Sequence, residues 1–116
     1  MLKRARAARL LTTGFALTAL AVAVPAAAQD AKAGEKVYTA QKCQVCHSIG
    51  GKGGKVSALD GVGGKLSPAE IRGWITNPTD AAAKAKSTKK PPMQNKYGTL
   101  PAADIDGLVA YMQSLK

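Results

Sequence analysis

Both cysteines and the only histidine of the 116-residue chain fall in one run, Cys43-Gln44-Val45-Cys46-His47. Two thiols three positions apart, followed at once by an imidazole, form the pattern of c-type haem attachment. Each thiol can form a thioether to one vinyl group of a single porphyrin. The adjoining imidazole is then held where its Nε2 can bind iron as the proximal ligand. Other chemistries account for less of the pattern. A disulfide or a thioredoxin-like pair uses the cysteines and leaves His47 unexplained. A zinc site takes about four ligands, and there is no second Cys pair or second His.

The other axial position of an iron held in this way needs a donor. A single histidine excludes bis-histidine ligation within one chain. Beyond Met1 the methionines are Met93 and Met112. Met112 lies on the apolar stripe of the last expected helix, where packing requires it. Met93 follows Pro91-Pro92, which stiffen the backbone just before a soft thioether. Elimination therefore points to Met93 as the sixth ligand, against its commoner use as a gap-filling core residue.

Thiols must be accessible for attachment, and the start of the chain reads as an export leader. Lys3, Arg4, Arg6 and Arg9 precede the Leu/Ala/Val-rich stretch Leu10 to Val24, and Ala26-Ala27-Ala28 supplies a small-residue cleavage pattern with the cut before Gln29. The competing reading is a retained anchor, for which the apolar stretch is short. There is no Arg-Arg pair, which favours general secretion. On this reading residues 1–28 are a cleaved signal peptide and residues 29–116 are one small domain in the periplasm, without stable membrane insertion. Four of the seventeen basic residues and none of the seven acidic ones lie in the leader, so the remainder carries thirteen against seven, a net +6. A basic surface suits acidic protein partners and raises encounter rates. Nucleic acid is not expected, because the chain is exported and carries no recognition motif. A domain of this size, with three tyrosines and one tryptophan, buries a modest core and usually needs a staple. A haem held by two thioethers would provide both volume and cross-link.

The elements that must position these residues follow from periodicity and caps. Asp30 to about Lys42 reads as a helix capped by Asp30, with Ala33, Val37 and Ala40 on one face and Gly34 and Tyr38 beside them. It runs directly into Cys43. Ser48 to Lys65 is glycine-rich and reads as a loop whose backbone passes close to the cofactor. It is not a phosphate cradle, since Gly54-Lys55-Val56 lacks the required Ser or Thr. Ser67-Pro68-Ala69-Glu70 opens a second helix through a capping box, with Ile71, Trp74 and Ile75 on one face, ending before Asn77-Pro78. Trp74 reads as core, with a hydrogen bond to a haem propionate as the functional alternative. Thr76 to Leu100 shows no helix or strand pattern and carries Lys84, Lys86, Lys89 and Lys90. Asp104 to Leu115 is the last helix, with Ile105, Leu108, Val109, Met112 and Leu115 in one stripe and Pro101 at its entry. The terminal helices are expected to cross at Gly34.

With these residues in place, the chain resembles class I cytochromes c, the small monohaem electron carriers. The resemblance rests on Cys43, Cys46 and His47, on Gly34 and Tyr38, on Pro92-Met93, and on Leu108 and Tyr111. The Leu59-Asp60-Gly61-Val62-Gly63 run and the Ile71-Arg72-Gly73-Trp74-Ile75 helix are similar to short bacterial members. It implies an all-α cytochrome c fold, with three main helices and long loops around one covalently attached haem c. It implies Cys43 and Cys46 as the anchors, His47 and Met93 as the axial ligands, and one-electron transfer rather than catalysis. The partners it implies are acidic redox proteins: a dehydrogenase, reductase or oxidase. The alternatives are a tightly bound subunit of a periplasmic dehydrogenase complex, and a haem sensor or enzyme with a labile methionine. Two positions depart from the family pattern. Ala58 stands where members often have a proline whose carbonyl accepts the proximal Nδ1–H, and a backbone carbonyl is still expected to accept here. Pro101 stands where the last helix often has a Ser or Thr cap, so that end is expected to be loose.

Overall fold

The computed structural model describes residues 14, 19–21 and 26–116. The expected leader lies almost wholly outside the described residues. Helix α1 spans Ala26–Ala40. It begins before Asp30, which is therefore an interior residue and not the cap that the sequence suggested. The preceding alanines are the strongest helix formers and carry the helix back through them. At its far end Lys42 takes a left-handed conformation, φ 57°, and the last amides of the turn fold back on the Val37 and Thr39 carbonyls. That turn ends the helix and redirects the chain into a 3-10 turn, Cys43–Val45.

The glycine-rich stretch is more ordered than a loop. Strands β1 (His47–Ile49), β2 (Lys52–Gly53) and β3 (Ser57–Ala58) form a small sheet in the order β2-β1-β3. β1 and β2 are antiparallel and joined at Gly50-Gly51, both at positive φ, while β3 runs parallel to β1. Two consecutive residues at positive φ make the tight turn whose twist suits a hairpin. Gly53 and Gly54 are needed where backbone passes close to backbone. A β-carbon on either would collide with the backbone of Val45, Cys46 or His47. Their close approach is to the cysteine turn itself.

Helix α2 is a single turn, Val62–Lys65, and α3 spans Pro68–Thr76. The capping box of α3 is complete: Glu70 N–H donates to Ser67 Oγ, and Ser67 N–H donates to the Glu70 carboxylate at 2.7 Å. Asn77-Pro78 ends α3 and also begins α4, Pro78–Lys84. Asn77 caps it by accepting from the Asp80 amide, Pro78 takes the first position, and Lys84 pairs with Asp80 one turn away at 2.9 Å. The segment expected to lack structure therefore holds a helix and, later, a 3-10 turn at Tyr97–Thr99. Helix α5 spans Ala102–Ser114, two residues earlier than expected at its start. It has no side-chain cap, but the Pro101 carbonyl accepts the amides of both Asp104 and Ile105.

The core is built where α5 meets α1 and α3. Tyr38, Ile71, Ile75, Ile105, Leu108, Val109 and Met112 are buried together. Trp74 is half-buried and outside this cluster. α1 and α5 form the largest helix contact. At their crossing Gly34 faces Gly107, and a β-carbon at Gly34 would fall on the Gly107 carbonyl. One turn along, Tyr38 and Tyr111 meet edge to face at 5.5 Å between ring centres. The end of the chain is tied to α2. Gly63 N–H donates to the Leu115 carbonyl at 2.8 Å, Gln113 Nε2 to that of Leu66 at 3.0 Å, and Lys116 Nζ to that of Gly63 at 3.0 Å.

Candidate functional site

Three of the four expected site residues lie on the 3-10 turn and at the start of the strand that follows it. α1 delivers the chain to Lys42, whose left-handed geometry swings Cys43 into the 3-10 turn. There Val45 N–H donates to the Lys42 carbonyl and Cys46 N–H to that of Cys43. Both thiols are free and half-buried. Cys43 packs against the core, whereas Val45 between them is 68 % exposed. Burial pushes the Cys43 thiol above its ordinary range, and the neighbouring Cys46 adds to this against the opposing effects of a backbone amide and Lys96.

His47 opens β1. Its Nδ1 lies 3.0 Å from the Ser57 carbonyl. A carbonyl can only accept, so the proton is on Nδ1 and the Nε2 lone pair is free. Burial lowers the His47 pKa, with the Ser57 carbonyl partly opposing it. Both effects of the site, a neutral ring and a fixed tautomer, prepare Nε2 as a metal donor, and a carbonyl on the other nitrogen is the usual way such a ring is oriented. The acceptor is Ser57, one residue before the Ala58 carbonyl that the sequence suggested. The parallel register sets His47 opposite Ser57, which brings that carbonyl to the ring.

Met93 is half-buried in the irregular stretch before Tyr97–Thr99. Its segment returns to the core, where Tyr97 and Cys43 both pack against the buried cluster. The Tyr97 phenol is pushed up by burial and then by Cys43 and Cys46, and Lys96 Nζ stands 5.3 Å from the Tyr97 ring centre. Gly98 completes the docking, since a β-carbon there would meet the Thr76 carbonyl at the end of α3. Ser57, Lys96 and Tyr97 were not singled out from sequence. A backbone acceptor has no residue signature, and Tyr97 sits in a stretch without periodicity.

The donor set fits a covalently bound haem. Two free thiols and one imidazole with an available Nε2 lie on the 3-10 turn and at the start of the strand that follows it. Half-buried apolar side chains, among them Val37, Leu59, Val62, Leu66 and Leu100, border the core and are only partly covered by protein. Among the described residues no three His, Cys, Asp or Glu side chains converge as a separate metal cluster, and no helix is long and apolar enough to cross a membrane.

Comparison with known proteins agrees with this geometry. The Cytochrome c family model matches residues 31–116, which span α1 from its second turn to the end of the chain. Neither the curated proteins nor the solved structures contained a match. The architecture, five α-helices with little sheet among the described residues, is compatible with the cytochrome c fold, and its three longer helices α1, α3 and α5 are those expected. The small three-stranded sheet is the addition to the all-α expectation. A family match of this extent implies covalently bound haem c, for which Cys43 and Cys46 fit the attachment motif, and a role in electron transfer. The chain therefore belongs to the cytochrome c family.

Proposed function

We propose that residues 29–116 act in the periplasm as a one-electron carrier, with haem attached through Cys43 and Cys46 and iron held by His47 and Met93. The observation that carries this reading is the His47 Nδ1 contact with the Ser57 carbonyl, which commits one ring nitrogen and frees the other. The bound haem supplies a reversible ferric–ferrous couple. The chain's own residues set how that couple behaves. Cys43 and Cys46 fix the group to a turn that α1 and the Gly53-Gly54 crossing hold in place. His47 presents a neutral imidazole. Met93 offers a thioether, which favours ferrous iron and raises the potential. Were His47 and Met93 both to hold the iron, no position would be left for a substrate, which favours a carrier over an enzyme or sensor. The basic leader and its small-residue end support export.

The decisive test is a visible spectrum of the purified protein, oxidised and reduced, with a pyridine haemochrome assay. One covalently retained haem c per chain and slow, weak carbon monoxide binding to the ferrous form are expected. Haem that extracts into acid solvent, or rapid tight binding of carbon monoxide at neutral pH, would defeat the carrier reading.

Exposed Lys86, Lys89 and Lys90, with Lys42 beside Cys43, supply a basic surface for an acidic redox partner. Lys84 contributes less because Asp80 pairs with it. Replacing Lys86, Lys89 and Lys90 with Gln is expected to slow electron transfer to an acidic partner by about tenfold at low ionic strength and to flatten its salt dependence. Stopped-flow rates that keep the original salt dependence would remove steering from the proposal.

A further inference from the structure

Asp60 is exposed, yet its carboxylate is engaged. Its Oδ1 accepts the Gly50 N–H at 2.7 Å. The ion pairs among the described residues are Arg72–Asp106 and Lys84–Asp80, so this carboxylate serves a backbone amide and not a neighbouring cation.

The position of that bond is informative. β3 is held on β1 by a two-residue parallel pairing, His47 with Ser57 and Ser48 with Ala58, and by the bonds that flank it. The Val56 and Ser57 amides share the Cys46 carbonyl at 3.1 and 3.3 Å, and the Leu59 amide reaches the Ser48 carbonyl at 2.8 Å. The next rung comes from the Asp60 side chain, so the ladder continues one step past the point where backbone pairing ends. It is the shortest of these bonds, and an ionised acceptor makes it roughly twice as strong as a neutral one. Strands of two residues hold little rigidity of their own. The tip they depend on is Gly50-Gly51, both at positive φ and without side chains to restrain it. Asp60 thus joins the hairpin tip to the end of β3. Ser57, whose carbonyl holds His47 Nδ1, lies inside the loop closed in this way.

We infer that Asp60 is a positioning residue for the proximal imidazole, acting through β3 and the Ser57 carbonyl. This rests on the reading of His47 as an iron ligand. With Asp60 in place, the Ser57 carbonyl keeps its register and the ring keeps its tautomer and orientation. Without it, the hairpin tip and β3 separate first at Gly50, and the Nδ1–H gains access to water.

The test compares the ferrous holoprotein with Asp60→Ala and Asp60→Asn by nitrogen-15 NMR. Exchange of the His47 Nδ1–H with solvent should be about tenfold faster in Asp60→Ala. Asp60→Asn keeps the acceptor oxygen and should restore most of the protection. The reduction potential of Asp60→Ala should also lie further from the parent than that of Asp60→Asn, which loses only the charge. Unchanged Nδ1–H exchange in Asp60→Ala, or identical behaviour of the two variants, overturns the inference. Should Asp60→Ala fail to fold, Asp60→Glu keeps the charge but displaces the oxygen by a methylene. Faster exchange is expected there too, and its absence is equally fatal. Iron-shifted His47 ring resonances in the parent protein report ligation separately. Their absence would refute the ligand assignment without touching the Asp60 comparison.

Discussion

Met93→Ala is expected to remove the far-red sulfur-to-iron charge-transfer band of the ferric protein and to open the iron to carbon monoxide in the ferrous state. The reduction potential should fall by about 0.1–0.3 V, within the span of about 0.8 V that axial ligands command. The direction follows from donor chemistry. A thioether is soft and favours ferrous iron, whereas the water that would replace it favours ferric iron. Met93→His tests the same point from the other side, since it refills the position but leaves the potential low. The thioethers and His47 are untouched, so haem content should not change. Retention of the far-red band in Met93→Ala would show that another group holds the sixth position. The segment that carries Met93 is anchored on both sides. Tyr97, four residues on, packs against the core, and Asn95 Nδ2 donates to Thr79 Oγ1, tying the same segment to α4.

The second large effect lies away from the iron. Gly34→Ala is expected to destabilise the protein by about 3 kcal/mol, which lowers the thermal midpoint by roughly 12–24 °C in a domain of this size. A β-carbon at Gly34 has no free volume. Its nearest neighbours would be the Gly107 carbonyl and the Tyr111 β-carbon. Backbone cannot swing aside as a long side chain can, so α1 and α5 would have to separate and the edge-to-face Tyr38–Tyr111 contact would open. Gly107→Ala should be milder, because a β-carbon there meets Gly34 Cα and N at 3.2 Å. Denaturant titration of both variants gives the ranking. A Gly34→Ala protein as stable as its parent would mean that the helices do not cross as described.

Much of this architecture was legible in the residues. The Ser67 capping box is local chemistry and appears as written. The α5 stripe and the Gly34 crossing follow from helical periodicity and from the need for a small residue where helices touch. The cysteine turn was legible because its chemistry demands a fixed spacing. Other features were not. β2 and β3 are two residues each, too short to show alternation, and their pairing depends on glycines whose positive φ has no signature beyond their identity. Asn77-Pro78 reads as a stop, and only tertiary placement shows that Asn77 also caps α4. The Ser57 carbonyl belongs to the backbone, and its register with His47 emerges only once β1 and β3 are paired. The start of α1 was misjudged because Asp30 is a good cap in isolation, while the alanines before it extend the helix.

The bonds between α2 and the end of α5 have a kinetic consequence. The core draws on both extremes of the domain: α1 finds its partner in α5, and α2 is fastened by Gln113, Leu115 and Lys116. Contacts so distant along the chain form only after their closure entropy has been met. If the chain is exported from its amino end, as proposed above, Cys43 and Cys46 emerge well before α5, whose residues form much of the core that Cys43 packs against. On that proposal, the order in which the chain appears would leave an interval for the thiols to be modified before the core is complete.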